Sequence, residues 1–230
     1  MKILAIGAHP DDIEIYMFGF LSICAARGDD IILCIATDGA QGNVGDEKNL
    51  VDVRARETLK ALSYFDFKPI MLNIPDGNIE FYSNTFTLLK STIDNYNPDL
   101  IVTHSQNDYH ADHRALSKFV VNIAGFKCPV LFADNLMGVD FKPLFYIDIT
   151  KYFLEKKKAI LSHKSQRPEK FFKATELLNR FRSAQCNTPD GNYVECYNYF
   201  PRFPFSDIRS LLPPEPQQHH YYSKDSRGLM

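Results

Sequence analysis

No stretch of this 230-residue chain approaches the ~18–20 consecutive apolar residues that a membrane-spanning helix needs. Neither sign of charge is in excess. Lys and Arg number 26 against 28 Asp and Glu, a formal net charge of −2, so there is no basic footprint to make nucleic acid or an anionic membrane the main partner. No Cys-x-x-Cys pair occurs among Cys24, Cys34, Cys128, Cys186 and Cys196. An odd, unpatterned set of thiols fits a reduced, cytoplasmic compartment better than a disulfide framework. Cys24 and Cys34 read as small buried apolar residues, and Cys186 and Cys196 flank a loop across which they could pair. The apolar run 3–8 is too short for a signal peptide and lacks a cleavage pattern, so no secretory leader is expected. Neither Gly-x-Gly-x-x-Gly nor Gly-x4-Gly-Lys-[Ser/Thr] follows the first apolar run, which weakens a nucleotide-binding module as an explanation. No internal repeat is visible.

What the chain does have is alternation. With 45% hydrophobic and 23% charged residues it is ordinary for a globular protein. Short, often β-branched apolar segments at 2–7, 30–36, 69–72, 100–104, 130–133 and 145–149 read as strands covered on both faces. Between them, 15–27, 50–65, 85–95, 111–125 and 151–163 read as helices, followed by another at 171–182. The expected fold is α/β: a doubly wound, mostly parallel, Rossmann-like sheet with helices on both faces. An aromatic C-terminal extension follows, in which 193–205 forms a strand or a lid. A subunit contact there would make the protein a homo-oligomer. One domain over 1–205 and a flexible tail over 206–230, rich in proline and then polar, complete the expectation. His219 and His220 fall in that tail.

Two clusters carry chemistry. His9-Pro10-Asp11-Asp12 follows the first strand and His110-Ala111-Asp112-His113 the fourth. In an open α/β sheet, ligands bind outside the carboxyl ends of the strands. Thr37-Asp38-Gly39 and Pro75-Asp76-Gly77 would fall at that same edge. His9, Asp12 and His113 would supply two nitrogens and one oxygen, a set suited to zinc or another divalent transition metal with a place left for water. Asp11 could then take a proton from that water. His110, on the same helical face as His113, could protonate a leaving group or hydrogen-bond an oxyanion. Asp112 could orient a ligand imidazole from behind.

Each motif also has a plainer reading. Asp12 could cap the helix that follows it, and His110 and His113 could be polar residues at a helix start. His104 could be a hydrogen-bonded strand-end histidine rather than a pocket residue, and His163 a helix-terminal residue favoured by the dipole. Arg54 and Glu57, three apart, could form a surface ion pair or belong to the site. Asp76 is a ready turn residue as well as a candidate substrate contact.

Ala8-His9-Pro10-Asp11-Asp12-Ile13-Glu14 together with His110-Ala111-Asp112-His113-Arg114-Ala115 resembles the PIG-L or LmbE-like family of zinc-dependent N-acetylglucosamine de-N-acetylases. Thr37-Asp38-Gly39, Arg54-x-x-Glu57, Pro75-Asp76-Gly77, Lys164-Ser165-Gln166 and 193–197 add to the resemblance. It implies His9, Asp12 and His113 as zinc ligands, Asp11 as general base, His110 as acid or oxyanion partner, and Arg54 and Asp76 as contacts to the sugar. The implied substrate is an N-acetylated amino sugar linked to a nucleotide, a lipid or a glycoside, and the implied reaction releases acetate. Two alternatives are a non-catalytic sugar- or nucleotide-binding module and an amidase acting on a thiol–sugar conjugate. The chain departs from the family's glycine-rich first helix. Only Gly19 remains, with bulky Tyr16 and Phe18 nearby, and Ala111 stands for the usual proline.

Overall fold

The computed structural model describes residues 1–42, 45 and 48–218, so His219 and His220 lie outside the described residues. Seven strands form one sheet: β1 (Lys2–Gly7), β2 (Asp30–Thr37), β3 (Ile70–Ile74), β4 (Leu100–His104), β5 (Val130–Ala133), β6 (Phe145–Asp148) and β7 (Val194–Tyr199). Their order is β3-β2-β1-β4-β5-β7-β6. The first five run parallel, whereas β7 is antiparallel to both β5 and β6. The sheet is thus mixed and mostly parallel.

The helices are α1 (Asp12–Tyr16), α2 (Phe18–Ala26), α3 (Leu50–Ala61), α4 (Thr85–Tyr96), α5 (Ala111–Ala124), α6 (Phe153–Ile160) and α7 (Pro168–Gln185), with single 3-10 turns at Thr150–Tyr152, Lys164–Gln166 and Arg209–Leu211. Successive strand side chains point to opposite faces, and β1 shows why both faces need cover. Ile3 and Ala5 enter one core with Phe18 and Phe20 of α2 and Phe153 and Ile160 of α6. Leu4 and Ile6 enter another with Leu89 and Ile93 of α4 and Leu116 and Val120 of α5. Each fully buried Ile, Leu, Val or Phe among them contributes about 1.5–3 kcal/mol.

Two expectations change, and a third, left between a strand and a lid, resolves as a strand. The helix read over 15–27 starts at Asp12 and is broken at Met17 (φ −132°) into α1 and α2. The break leaves the first amides of α2 free, and those of Gly19 and Phe20 donate to Glu195 Oε1 and Oε2 at 2.9 and 2.8 Å. Gly19 is required there, because a Cβ would lie 2.4 Å from Ile149 Cγ2. The stretch 193–205 contributes an interior strand, β7, rather than a lid. Glu195 on it also takes the ammonium of buried Lys156 at 2.6 Å and the Tyr197 hydroxyl at 2.7 Å. Finally, the stretch read as a tail begins inside the body: Ile208 and Leu212 are buried in the core of α2 and α6. All five cysteines are free thiols, including Cys186 and Cys196.

Candidate metal centre

Because β1 to β4 are parallel, the turns that follow them meet at one edge. The turn after β1 is sharp. Asp11 has φ 134°, a conformation that side chains other than glycine rarely adopt, and it swings the chain at once into α1. Strain of this kind, about 1–3 kcal/mol, persists where the surrounding structure over-determines it. The surroundings here are explicit. Arg54 reaches in from α3, donating from Nη2 to Pro10 O at 2.6 Å and from Nη1 to Gly39 O at 3.0 Å, with Nη2 3.4 Å from Asp11 Oδ1. Gly39 (φ 68°) must lack a side chain, since a Cβ would stand 2.8 Å from Arg54 Nη1. Arg54 is 3% exposed, so it is no surface partner of Glu57. Glu57 instead accepts from the amide and hydroxyl of Ser165 at 2.9 and 2.7 Å.

His9 Nδ1, Asp12 Oδ2 and His113 Nε2 come together. Nδ1 to Oδ2 is 3.3 Å, Nε2 to Oδ2 is 3.4 Å and Nε2 to Nδ1 is 3.3 Å. A tetrahedral ion with bonds of ~2.0–2.2 Å has ligand–ligand edges of ~3.3–3.6 Å, so the three donors fit such an ion. The opposite ring nitrogens support the fit. His9 Nε2 faces Asp76 Oδ1 at 3.2 Å and Asp112 Oδ2 at 3.3 Å, and His113 Nδ1 faces Asp108 Oδ2 at 3.0 Å. A ring N–H given to a carboxylate leaves the lone pair of the other nitrogen free for a cation.

Other groupings of histidine and carboxylate occur within the cluster. His9 with Asp76 and Asp112 uses the nitrogen that faces away from Asp12. His104 is buried, and its Nε2 accepts the Ala8 amide at 3.0 Å, which occupies the lone pair that a metal would need. Its ring stacks on His113 with centroids 3.7 Å apart, so it acts as a wall behind that imidazole.

Electrostatics follow from this crowding. Burial opposes charge on His9, but Asp112, Asp12 and Asp76 overcome it and hold its pKa well above the ordinary value. Burial opposes charge on His113 too, and Asp12 and Asp108 raise it to about 9. Asp12 is buried, yet His113 and His104 hold its carboxyl well below the usual range. His104, pushed down by burial and by His113 to about 4, is neutral near pH 7. The cage is built to stabilise positive charge. Asp11 differs. Burial raises it to about 6 against the opposing effect of Arg54.

His110 caps α5, its Nδ1 accepting the Asp112 amide at 3.3 Å, so in the neutral ring the proton sits on Nε2. Burial, His9 and His113 lower its pKa. Asp112 is tied to the turn after β3 by the amides of Gly77 and Ile79 at 2.8 and 3.3 Å. Asp76 Oδ2 accepts the Gln41 amide at 2.9 Å, so it braces both His9 and the neighbouring loop. His9, Asp11, Asp12, Asp76, His110 and His113 line a cleft of about 370 Å³ with a polar side, including Arg54, Gln41 and Gln166, and an aromatic side of Tyr16, Tyr109 and Phe171.

Sequence reasoning missed Asp108 and the pairing of His163. The only signal for Asp108 is an acidic residue five positions before His113, which becomes informative once the turn brings it under the ring. His163 does not end a helix, since α6 stops at Ile160. It is buried, with Nε2 2.8 Å from Glu14 Oε1.

The sequence model of the PIG-L family, described as GlcNAc-PI de-N-acetylase, matches residues 4–124. Diacetylchitobiose deacetylase of Thermococcus kodakarensis is 24% identical over 222 residues, covering 87% of this chain and 83% of its own. Among solved structures, N,N'-diacetylchitobiose deacetylase from Pyrococcus horikoshii superposes with a TM-score of 0.75 at 20% identity, over 92% of this chain and 88% of that one. The 4-carboxy-2-hydroxymuconate hydratase GalB from Pseudomonas putida does so with 0.76 at 19% identity, over 87% and 97%. A hydratase and a deacetylase on one scaffold show that this fold alone does not set the reaction. The match over residues 4–124, which carries both histidine clusters, makes the chain a member of the PIG-L family.

Proposed function

We propose that this protein is a metal-dependent hydrolase, with zinc as the metal best suited to its donors, that removes the acetyl group from an N-acetylated amino sugar. The observation that carries the reading is the mutual spacing of 3.3–3.4 Å among His9 Nδ1, Asp12 Oδ2 and His113 Nε2, with a carboxylate behind each imidazole. The deacetylase named among the family's relatives supports the reaction class.

When bound, a zinc ion polarises a carbonyl and brings the pKa of its water from 15.7 towards ~7. Asp11 takes the proton from the attacking water. Its carboxyl, raised to about 6 by burial, is a stronger base than an ordinary aspartate and is still ionised near pH 7. His110, with its proton on Nε2, donates a hydrogen bond to the oxygen on which charge develops, and the proton that Asp11 has taken passes to the departing amine. Arg54 steadies the Asp11 carboxylate, and its guanidinium, with Asp76, Gln41 and Gln166, offers donors and acceptors to sugar hydroxyls. The aromatic side of the cleft receives the apolar face of the ring or its substituent.

The strand order β3-β2-β1-β4-β5 with helices on both faces supports the doubly wound, Rossmann-like description. The free thiols support a reduced, cytoplasmic compartment.

Acetate release from a panel of N-acetylglucosamine glycosides, nucleotide sugars and thiol conjugates, before and after chelation, tests the reading. Activity should vanish with the metal and return with zinc. Asp11→Asn should lower kcat by ~10²–10⁴ with metal content unchanged. Activity that survives complete metal removal would refute the mechanism. Stoichiometric zinc without turnover on any acetylated sugar would favour a binding module instead, and release of an acid other than acetate would favour the thiol-conjugate amidase.

A further inference from the structure

Two phenol rings, one from each histidine-bearing turn, bound the aromatic side of the cleft. Tyr16 lies one turn after Asp12 on α1, so its side chain leaves the same face of that helix. Its ring stands edge-on to His113, with centroids 5.8 Å apart, and edge-on to His104 at 5.4 Å. It is 6% exposed, and its carbonyl accepts the Tyr197 hydroxyl at 3.3 Å, which ties the end of α1 to β7. Phe18, the other bulky residue of this stretch, turns away: it is buried in the core against Phe65. Of the two, Tyr16 is the one that lines the cleft.

Tyr109 comes from the other cluster. It precedes His110 and is half exposed, with its ring centroid 6.5 Å from that of His113. Arg114 Nη1 donates to the carbonyls of Asp108 and Tyr109 at 2.7 and 2.8 Å, so α5 braces this turn. The hydroxyl oxygens of Tyr16 and Tyr109 lie 3.5 Å apart. A methylene chain passing between them would need about 7 Å, the sum of two contacts of about 3.5–4 Å. The cleft is therefore closed on this side by two rings, each held through its backbone.

An acetamide carbon carries three groups that the cleft must place. Its oxygen belongs with the donors at which charge develops. Its nitrogen leads to a hydroxyl-bearing ring, suited to the polar side of Arg54, Gln41 and Gln166. The methyl remains, and burying it against aromatic carbon is favourable.

We infer that Tyr16 and Tyr109 set the acyl specificity of the cleft, receiving the methyl of an acetyl group and excluding longer chains. This rests on the deacetylase reading and extends it by assigning the residues that select the acid released. N-acetyl, N-propanoyl, N-butanoyl and N-hexanoyl glucosamine are given to the zinc-loaded unsubstituted protein and to Tyr109→Ala, Tyr16→Ala and Tyr16→Phe. Water adds across the same C–N bond in every case, and only the acid released differs. In the unsubstituted protein kcat/KM should fall by about 10-fold or more with each added methylene, as a fitted pocket imposes. In Tyr109→Ala and Tyr16→Ala the butanoyl-to-acetyl ratio should rise by about 10-fold or more. Tyr16→Phe, which keeps the ring, should keep the preference for acetyl. Calorimetric titration of the zinc-loaded proteins with acetate and butanoate reads the same selectivity without turnover: butanoate should gain on acetate by a similar factor once either ring is removed.

Turnover indifferent to chain length in the unsubstituted protein would overturn the inference and leave the deacetylase reading standing. An unchanged ratio in Tyr109→Ala would do the same, and this half-exposed site decides alone if Tyr16→Ala does not fold. Altered preference among glycosides with the acyl ratio unchanged would also overturn it, by placing the rings against the sugar's substituent. If the unsubstituted protein releases no acid from any of these sugars, the deacetylase reading fails. The titration then decides separately, and the same acetate-to-butanoate ratio with and without the Tyr109 ring would refute the assignment.

Discussion

Asp108 Oδ2 lies 3.0 Å from His113 Nδ1, while the other nitrogen of the same ring lies 3.4 Å from Asp12 Oδ2. The imidazole is thus held between two carboxylates. One fixes which nitrogen carries the proton, and the other faces the candidate metal centre. Replacing Asp108 with Ala frees the ring to rotate and to change tautomer. Zinc affinity, measured by chelator competition, should fall by about 10–100-fold. Asp108→Asn, which keeps an acceptor for the ring N–H, should lose less. Equal affinity in all three proteins would show that the ring needs no such partner.

Protons and a metal compete for the same nitrogens, and the direction of that competition follows from the carboxylates. His113 titrates at about 9 in the fold against 6.5 unfolded, and His9 is likewise raised. A raised histidine stabilises the fold fully below pH 6.5, and that contribution is lost as pH rises through about 9. The metal-free protein should therefore melt at progressively lower temperature between pH 6.5 and 9. The zinc-loaded protein should be much less affected, because the cation replaces the protons. Apparent zinc affinity should rise across the same window. Melting curves with chelator and with zinc at several pH values check both trends, and a metal-free protein that grows more stable towards pH 9 would contradict this account.

Gly39→Ala places a methyl 2.8 Å from Arg54 Nη1 at a φ of 68°. The left-handed backbone costs about 1–2 kcal/mol, and Arg54 must withdraw from Asp11. Stability should fall by that order, and kcat/KM should fall with it. Arg54→Lys should depress kcat/KM without the backbone cost, because one ammonium cannot reach both Pro10 O and Gly39 O with the geometry of a guanidinium.

Glu195 answers four donors in a dry interior: the amides of Gly19 and Phe20, the Lys156 ammonium and the Tyr197 hydroxyl. Removing one partner of a buried ion pair leaves the other uncompensated, so Glu195→Ala or Lys156→Ala should cost about 3–5 kcal/mol. Lys156→Met with Glu195→Gln should recover much of that loss. Chemical denaturation of the four proteins measures the coupling.

Strand and helix periodicity made the parallel part of the sheet legible, because β1 to β5 are apolar runs bounded by polar turns. The meeting of the two histidine clusters followed from the same pattern, since parallel strands place all their carboxyl ends at one edge. Partners from remote segments were illegible. Asp108 beneath His113, His163 against Glu14 and Glu195 at the start of α2 are joined by packing, and no local period or spacing encodes them. The strand direction of β7 was hidden for a related reason: an aromatic, alternating run says that a strand exists but not what lies beside it.

The place of β7 between β5 and β6 bears on how the chain matures. β6 is synthesised earlier, yet among the described residues its one neighbour in the sheet is Val194–Tyr199. While a nascent chain is still attached to the ribosome before that point, the edge of β5 and both sides of β6 are bare, and the amides at the start of α2 lack their carboxylate. Docking of residues 194–199 covers the edge of β5 and one side of β6 and supplies that carboxylate. The half of the chain that holds His9 and His113 therefore depends, for a finished sheet, on a strand translated some eighty residues after His113.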